Sequence, residues 1–232
     1  MTASPANEME GAGVASRLLV TLSLMAVGAG SATPALAVPS QYDIAFVSEF
    51  ADACVPQRMS YPGTKETALS AGWTEVQRTA HAELDAMMAI SEAAMQAPDL
   101  IDPRIEYATF SKTIQNAPHF LVVSRSSALI EKGGDRWTSI GCYLYNFDAA
   151  APIDPEPVTA LIGQPIANSQ TDMHINGWVW GPPCPMPRTG DTYLTFIPEV
   201  SQYKDETGFT GLVLKFATSE PDAGEVVPST YC

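Results

Sequence analysis

The chain has 232 residues, of which 26 are acidic and 12 are lysine or arginine, giving a formal net charge of -14. A surface this acidic repels phosphate backbones and anionic lipid headgroups, which argues against nucleic acid or a membrane surface as a partner. The hydrophobic content of 46% is that of a folded protein rather than a disordered one.

The N-terminal segment has the features of a signal peptide. Residues 18–30 form a continuous apolar run that follows Arg17. A run of about 13 residues is shorter than the roughly 20 that a bilayer-spanning helix requires. The small residues Ala35 and Ala37 flank Leu36, as at a signal-peptidase site. The sequence therefore predicts export, to the periplasm or the outside of the cell.

Cleavage between Ala37 and Val38 would remove residues 1–37 as a signal peptide. We expect residues 38–232 to form a single α+β domain with no membrane span. The first 16 residues carry acidic but no basic side chains, whereas signal peptides usually begin with a basic segment. An uncleaved membrane anchor is therefore the alternative.

Four cysteines lie in the predicted mature chain: Cys54, Cys142, Cys184 and Cys232. An even number is typical of exported proteins with disulfide bonds. The absence of a Cys-x-x-Cys spacing disfavours structural zinc and thioredoxin-like chemistry. Of the three possible pairings we favour Cys54–Cys142, which joins a helix to a strand, together with Cys184–Cys232.

Three helices are predicted first, over residues 43–55, 64–71 and 80–96. In the first helix, Phe46, Phe50 and Cys54 recur every four residues and therefore share one apolar face. Cys54 should then face the core, where a strand cysteine could meet it. Thr64 and Thr79 are the predicted caps of the second and third helices, after a turn at Pro62-Gly63.

The third helix is rich in methionine. Met87, Met88 and Met95 are expected to face inward with Leu84. Because methionine side chains are flexible, they could line an adaptable groove for a ligand. Ordinary core packing is the alternative, and we favour it.

Six strands are predicted next, over residues 105–113, 119–125, 137–147, 173–180, 192–200 and 209–218. A helix over residues 154–163 separates the third strand from the fourth, with Asp154 as its cap, Pro155 in its first turn and Gly163 at its end. A turn over residues 204–208 separates the last two strands. This order predicts an α+β fold, with N-terminal helices packed on a mostly antiparallel sheet that one helix interrupts.

The third predicted strand should present different side chains to its two faces, because side chains alternate along a strand. One face would carry Thr138, Ile140, Cys142 and Leu144. The other would carry the aromatic residues Trp137, Tyr143 and Tyr145.

Three short motifs are shared with a known group of proteins. They are Ala53-Cys54-Val55-Pro56-Gln57-Arg58, Ala71-Gly72-Trp73 and Cys142-Tyr143-Leu144-Tyr145-Asn146-Phe147-Asp148. In these motifs the chain resembles an uncharacterised family of small exported proteins of alphaproteobacteria, which has no assigned activity. The resemblance implies export and a cysteine pair, and it transfers no catalytic residue.

No catalytic or cofactor motif was found. Nucleophile-elbow, phosphate-loop and zinc-helix patterns are absent from the sequence. His119 and His174 could meet a carboxylate such as Asp172 at a metal, but their spacing does not require it. We therefore predict no catalytic residue, no metal and no cofactor, and expect packed or surface histidines, including His81.

Acidic pairs can catalyse sugar hydrolysis. Asp148, Asp154 and Glu156 are the candidates in this chain. They are better explained as turn and cap residues.

The most distinctive candidate ligand surface is formed by His174, Asn176, Trp178 and Trp180. Residues two apart in a strand lie on one face, so both indole rings would stand beside two polar side chains. Such a surface suits a glycan or a peptide. The alternative, which we favour, is that the rings cover the sheet beneath the proline-rich segment 182–187.

These observations predict an exported, disulfide-bonded protein of the cell envelope that acts by binding or as an accessory protein, without catalysis. One alternative is a hydrolase acting on envelope material through a carboxylate or through His119 and His174. Another is a structural or inhibitory partner of a second envelope protein.

Overall fold

Eight strands form one antiparallel sheet with helices on both faces in the computed structural model, which describes residues 38–129, 131–181 and 190–220. The strand order across the sheet is β1-β2-β3-β4-β8-β7-β6-β5. The predicted α+β class is confirmed, and every strand pair in this part of the chain is antiparallel.

The helices are α1 (Gln41–Cys54), α2 (Tyr61–Ser70), α3 (Ala82–Ala94), α4 (Glu156–Ile162) and α5 (Lys204–Thr207), and a 3-10 turn covers Arg78–Ala80. The strands are β1 (Thr74–Glu75), β2 (Ile101–Ile114), β3 (Ala117–Leu129), β4 (Arg136–Asn146), β5 (Asn168–Thr171), β6 (Asn176–Trp180), β7 (Thr192–Ile197) and β8 (Gly211–Ser219). All six predicted strands occur with shifted ends, and β1 and β5 are additional.

The chain builds the sheet in two halves. Strands β2, β3 and β4 follow one another as hairpins, and the first hairpin turns through Gln115 and Asn116. Both turn residues have positive φ values, 44° and 69°, as a two-residue turn matching the sheet's twist requires. The connection through α4 then reaches the far edge at β5. The later strands return toward the centre, where β8 pairs with β4.

Helices α1, α2 and α4 cover one face of the sheet. Phe46 and Phe50 of α1 are fully buried in the same cluster as Leu144 of β4 and Leu214 of β8. The first turn of α1 is closed by Ser40, whose hydroxyl accepts a hydrogen bond from the backbone N–H three residues later. We call this the sealed face.

The predicted disulfide between Cys54 and Cys142 is confirmed. It joins the last residue of α1 to β4, with 5.7 Å between the Cα atoms. Both sulfurs lie in the core of the sealed face, as the stripe on α1 predicted. Cys184 and Cys232 lie outside the described residues, as does Ala37 at the predicted cleavage site, so the second disulfide and the cleavage stay predictions.

Helix α3 packs against the opposite face. Its buried residues Leu84 and Met88 contact a second cluster that includes Phe120 of β3, Tyr145 of β4 and Phe209. The two faces of β4 therefore divide as predicted, with Tyr145 buried here and Ile140, Cys142 and Leu144 buried on the sealed face.

All four predicted helices begin at other residues than expected, and one turn was predicted incorrectly. α1 begins at Gln41 instead of residue 43, and α4 begins at Glu156 with Pro155 in place of Asp154 at the cap position. α2 begins at Tyr61, because Ser60 rather than Thr64 caps it by accepting the N–H of Gly63 at 3.1 Å. Pro62 stands in the first turn, where its missing N–H costs nothing. α3 begins at Ala82, capped by the side chain of the preceding histidine. The turn predicted over residues 204–208 is the one-turn helix α5.

Candidate ligand-binding cleft

Helix α3 leaves part of its face of the sheet uncovered, and a cleft of about 580 Å³ lies there. Its floor is formed by the neighbouring strands β2, β3, β4, β8 and β7, and its walls are α3, α5 and the segment before β8. The residues that line it are Met87, Ile90, Ser91, Ala94, Met95, Ile105, Tyr107, Val122, Ser124, Ser126, Tyr143, Tyr145, Ile175, Thr195, Ile197, Glu206, Thr207, Phe209, Val213 and Lys215. Most of these side chains are apolar or aromatic.

Three tyrosines form the aromatic part of the floor: Tyr107 on β2, and Tyr143 and Tyr145 on β4. Burial raises the pKa of all three hydroxyls, so they are neutral at physiological pH. The ring of Tyr143 lies over Gly141, where an added Cβ would overlap the hydroxyl end of the ring. A glycine at this position therefore allows the ring to lie flat along the strand.

The methionines of α3 divide between core and cleft. Met88 is buried in the second cluster, whereas Met87 and Met95 line the cleft. The hydroxyl of Tyr145 donates to the sulfur of Met87 at 3.5 Å. Core packing therefore describes Met88, and the alternative of a groove lined by methionine describes Met87 and Met95.

Helix α5 closes one end of the cleft by close backbone approach to α3. Gly208 ends α5 with a φ of 76°. A Cβ at this position would lie 2.9 Å from the backbone of Met87. Glycine is required here for two reasons. Residues with a Cβ disfavour a positive φ, and a Cβ at this position would collide with the backbone of Met87.

Lys215 is the charged residue of the cleft floor, and the sequence analysis did not single it out. It lies on β8 opposite Tyr143 of β4 and Tyr193 of β7. Its Nζ lies 4.7 Å from the centroid of the Tyr193 ring, a cation–π distance. Burial lowers the pKa of the ammonium, and no charge among the described residues offsets this effect. The available signal was a single lysine within the apolar run Leu212-Val213-Leu214-Lys215-Phe216-Ala217.

The structure places the two predicted ligand-binding tryptophans against the sealed face. Trp180 is fully buried, and its Nε1 donates to the Thr159 hydroxyl at 3.1 Å. Trp178 is partly buried against the same cluster. Trp180 therefore presents no surface to a ligand, and its ring packs in the core of the sealed face. The proline-rich segment 182–187 lies outside the described residues, so its position over these rings stays a prediction.

The polar members of that patch lie at the start of β6 and before it. His174 accepts a hydrogen bond at Nδ1 from the backbone N–H of Gln202, with an N···N distance of 3.4 Å. Asp172 accepts the backbone N–H groups of His174 and Ile175 and so forms a turn. Asn176 is half-buried on β6. A ligand surface at His174, Asn176 and Trp178 stays a prediction.

His119 is fully buried, and both of its ring nitrogens are engaged. The Ala117 carbonyl can only accept, so Nδ1 carries the proton at 2.9 Å from it. Nε2 then accepts from the Tyr42 hydroxyl at 2.8 Å, and the Asn146 amide donates to the same hydroxyl oxygen. Burial lowers the pKa of this imidazole, against the opposing effect of the Ala117 hydrogen bond. The described contacts of His119 and His174 share no residue.

The carboxylates considered for hydrolysis make local contacts. Asp154 accepts the backbone N–H of Glu156 at 2.8 Å and so helps to start α4. Asp148 lies beside a second cleft of about 800 Å³. In that cleft the ring of His81 stacks on Phe147 with 4.6 Å between centroids.

Glu83, which also lines the second cleft, fastens α3 to the segment before β8. Its Oε1 accepts both the backbone N–H and the hydroxyl of Thr210, at 3.1 and 2.9 Å. Since His81 caps α3 through the N–H of Glu83, both side chains have structural contacts.

Among the residues that the structure describes, no group of three or more histidine, cysteine, aspartate or glutamate side chains is arranged to hold a metal ion. None of the helices in this part of the chain is long and apolar enough to cross a bilayer. No protein-family description, curated protein or solved structure matches the chain.

Proposed function

We propose that this is an exported protein of the cell envelope that acts by binding, without catalysis, and that it holds a small apolar ligand in the cleft beside α3. The observation that carries the proposal is the cleft itself, about 580 Å³ and lined mostly by apolar and aromatic side chains. Small-molecule sites are typically clefts of roughly 300–1,000 Å³ with such a lining and a few polar groups.

Export is supported by covalent structure and by sequence. The Cys54–Cys142 disulfide is of a kind that persists in oxidising compartments and is rare in the cytosol. The apolar segment at residues 18–30 and the resemblance to exported alphaproteobacterial proteins point the same way. We further propose cleavage before Val38 and a second disulfide, Cys184–Cys232.

Binding is favoured over hydrolysis by the state of the candidate catalytic groups. His119 is buried with both nitrogens engaged, and Asp154 is used in starting α4. In contrast, the side chains that line the cleft beside α3 make short local contacts, such as the Ser91 hydroxyl to the Met87 carbonyl and the Tyr145 hydroxyl to the Met87 sulfur, and much of the apolar lining is left to a ligand.

The export proposal is tested by intact mass. We expect protein recovered from a periplasmic fraction to begin at Val38 and to weigh four hydrogens less than its fully reduced form. A full-length mass with four alkylatable thiols would overturn export and both disulfides. A loss of two hydrogens would leave Cys54–Cys142 as the only bond.

The binding proposal is tested with a neutral apolar fluorophore, N-phenyl-1-naphthylamine. We expect saturable fluorescence enhancement that Ala94→Trp abolishes, because Ala94 lines the cleft and an indole would fill it. Ala86→Trp is the matched control, since Ala86 is exposed on the same helix and does not line the cleft. Equal binding by both variants, or no binding by the wild-type protein, would contradict the proposal.

A further inference from the structure

The charge distribution inside the cleft is unequal. Two of the lining side chains are charged, Lys215 on the floor and Glu206 on α5. Glu206 is exposed to solvent, whereas Lys215 is half-buried among apolar groups. A solvated carboxylate at the rim is satisfied by water, but a desolvated ammonium needs a partner.

The described residues give Lys215 an aromatic partner and no anionic one. Its contact is with the face of the Tyr193 ring, at 4.7 Å. The hydroxyl of that ring donates to Asp191 at 3.1 Å, so this nearby carboxylate is engaged at the far end of the ring. Burial lowers the pKa of Lys215 with no counter-charge opposing it. A cationic group in this setting favours an incoming anion, because the low local dielectric strengthens their attraction.

The side chains around Lys215 also indicate the chemistry of the rest of the ligand, beyond its anionic group. Val213 lies two residues earlier on the same face of β8, and Phe209 lies beyond it. Met87 and Met95 form the opposite wall from α3. A ligand that reaches Lys215 is therefore in contact with apolar side chains along the rest of its length, and methionine adapts to chains of varied shape.

We infer, building on the proposed function, that the cleft takes an amphipathic carboxylate, such as a medium-chain fatty acid, with its headgroup on Lys215 and its alkyl chain between α3 and the sheet. The carboxylate replaces the hydration that the ammonium lost on folding. The hydroxyl of Thr195 lines the same floor and can donate an additional hydrogen bond.

The test compares decanoate with decan-1-ol on the purified protein, by displacement of the neutral fluorophore below micellar concentrations. The two ligands have the same alkyl chain and differ in charge. We expect decanoate to bind about tenfold more tightly, as one charge-assisted contact provides. Lys215→Met should remove that preference and leave decan-1-ol binding unchanged.

Two further variants serve as controls for the effect of Lys215→Met. Lys215→Arg keeps the charge and should keep the preference for decanoate, which also covers the case in which Lys215→Met fails to fold. Glu206→Gln changes the other charge in the cleft and should alter decanoate affinity by less than about twofold, since an exposed charge is screened by water.

Failure of this inference is distinguishable from failure of the proposed function. Equal affinity for decanoate and decan-1-ol in the wild-type protein would overturn the role of Lys215 and leave an apolar binding cleft standing. A decanoate preference that survives in Lys215→Met would likewise overturn it. Fluorophore binding that neither ligand displaces would overturn this inference alone, whereas no fluorophore binding by the wild-type protein would overturn both.

Discussion

The two faces of the sheet are formed by the same strands but differ in how completely helices cover them. On the sealed face three helices cover the strands, and a disulfide joins α1 to β4. On the face beneath α3, that helix packs against the strands and the short α5 packs against α3 among the described residues. The first face therefore holds the structure together, and the second keeps accessible surface.

The side chains of the two faces reflect this division. The sealed face is filled mainly with aliphatic and aromatic side chains, and two of its buried polar groups, His119 and the Trp180 indole N–H, are hydrogen-bonded. The cleft on the other face is lined by three tyrosines, two methionines and Lys215. Tyrosine and lysine combine apolar surface with a polar end, and methionine adapts to varied shapes, so this lining suits a ligand.

The largest expected effect on stability comes from removing the disulfide of the sealed face. Replacing both Cys54 and Cys142 with alanine should lower the free energy of unfolding by about 4 kcal/mol, because the bond closes a long loop in the unfolded chain. The two residues are 88 apart in sequence. Urea unfolding of the double variant, with the oxidised wild-type protein as reference, measures it. A loss below about 1 kcal/mol would show that the disulfide contributes little to the sealed face.

The next largest effect on stability is expected from shortening one buried side chain, and it is compared with the same kind of change on the other face. Leu144→Ala on the sealed face should cost about 3 kcal/mol, because Leu144 is fully buried and leaves a cavity. Ile90→Ala beside the cleft should cost less than about 1 kcal/mol, since much of the side chain already contacts water. Ile90 is 38% exposed. Equal losses in chemical denaturation would contradict the contrast between the faces.

The buried histidine of the sealed face predicts a pH dependence. Burial lowers the pKa of His119 below its ordinary 6.5, so the unfolded chain binds a proton first as the pH falls. Stability should therefore be lost below about pH 6.5, at no more than about 1.4 kcal/mol per pH unit for one proton. His119→Gln should have a shallower slope between pH 7.5 and 5.5. Parallel slopes in urea titrations of the two proteins would rule out this contribution.

The smallest expected effect is on the open face. Lys215→Met should leave the free energy of unfolding unchanged or slightly higher, because it removes a desolvated charge without orphaning a carboxylate. This would separate Lys215 from a structural role. Thermal unfolding without ligand is the measurement, and a clear decrease in Tm would mean that Lys215 holds the fold together.

Local patterns predicted the sealed face well. The spacing of Phe46, Phe50 and Cys54 placed the cysteine on the buried side of α1, and the alternation along β4 placed Cys142 on the matching face. Both are periodicities of single elements, which one sequence contains. The helix starts at Tyr61 and Ala82 were less predictable, because several residues nearby could have served as caps.

The cleft could not be predicted in the same way. Alternation places Trp178 and Trp180 on a common face of β6, yet it does not say which layer covers that face. Lys215 becomes distinctive only through its neighbours Tyr143 and Tyr193, which come from strands distant in sequence. Which residues pair across strands depends on the arrangement of the whole sheet, so these neighbours of Lys215 could not be predicted from the sequence.

The most direct test of the account is a methionine-methyl NMR spectrum of the protein with and without decanoate. Met87 and Met95 line the cleft. Met59 is buried away from its lining, and Met173 is exposed elsewhere. We predict that saturating decanoate shifts the methyl resonances of Met87 and Met95 and leaves those of Met59 and Met173 in place. Unmoved Met87 and Met95 resonances would contradict the claim that the face beneath α3 is the ligand-binding face.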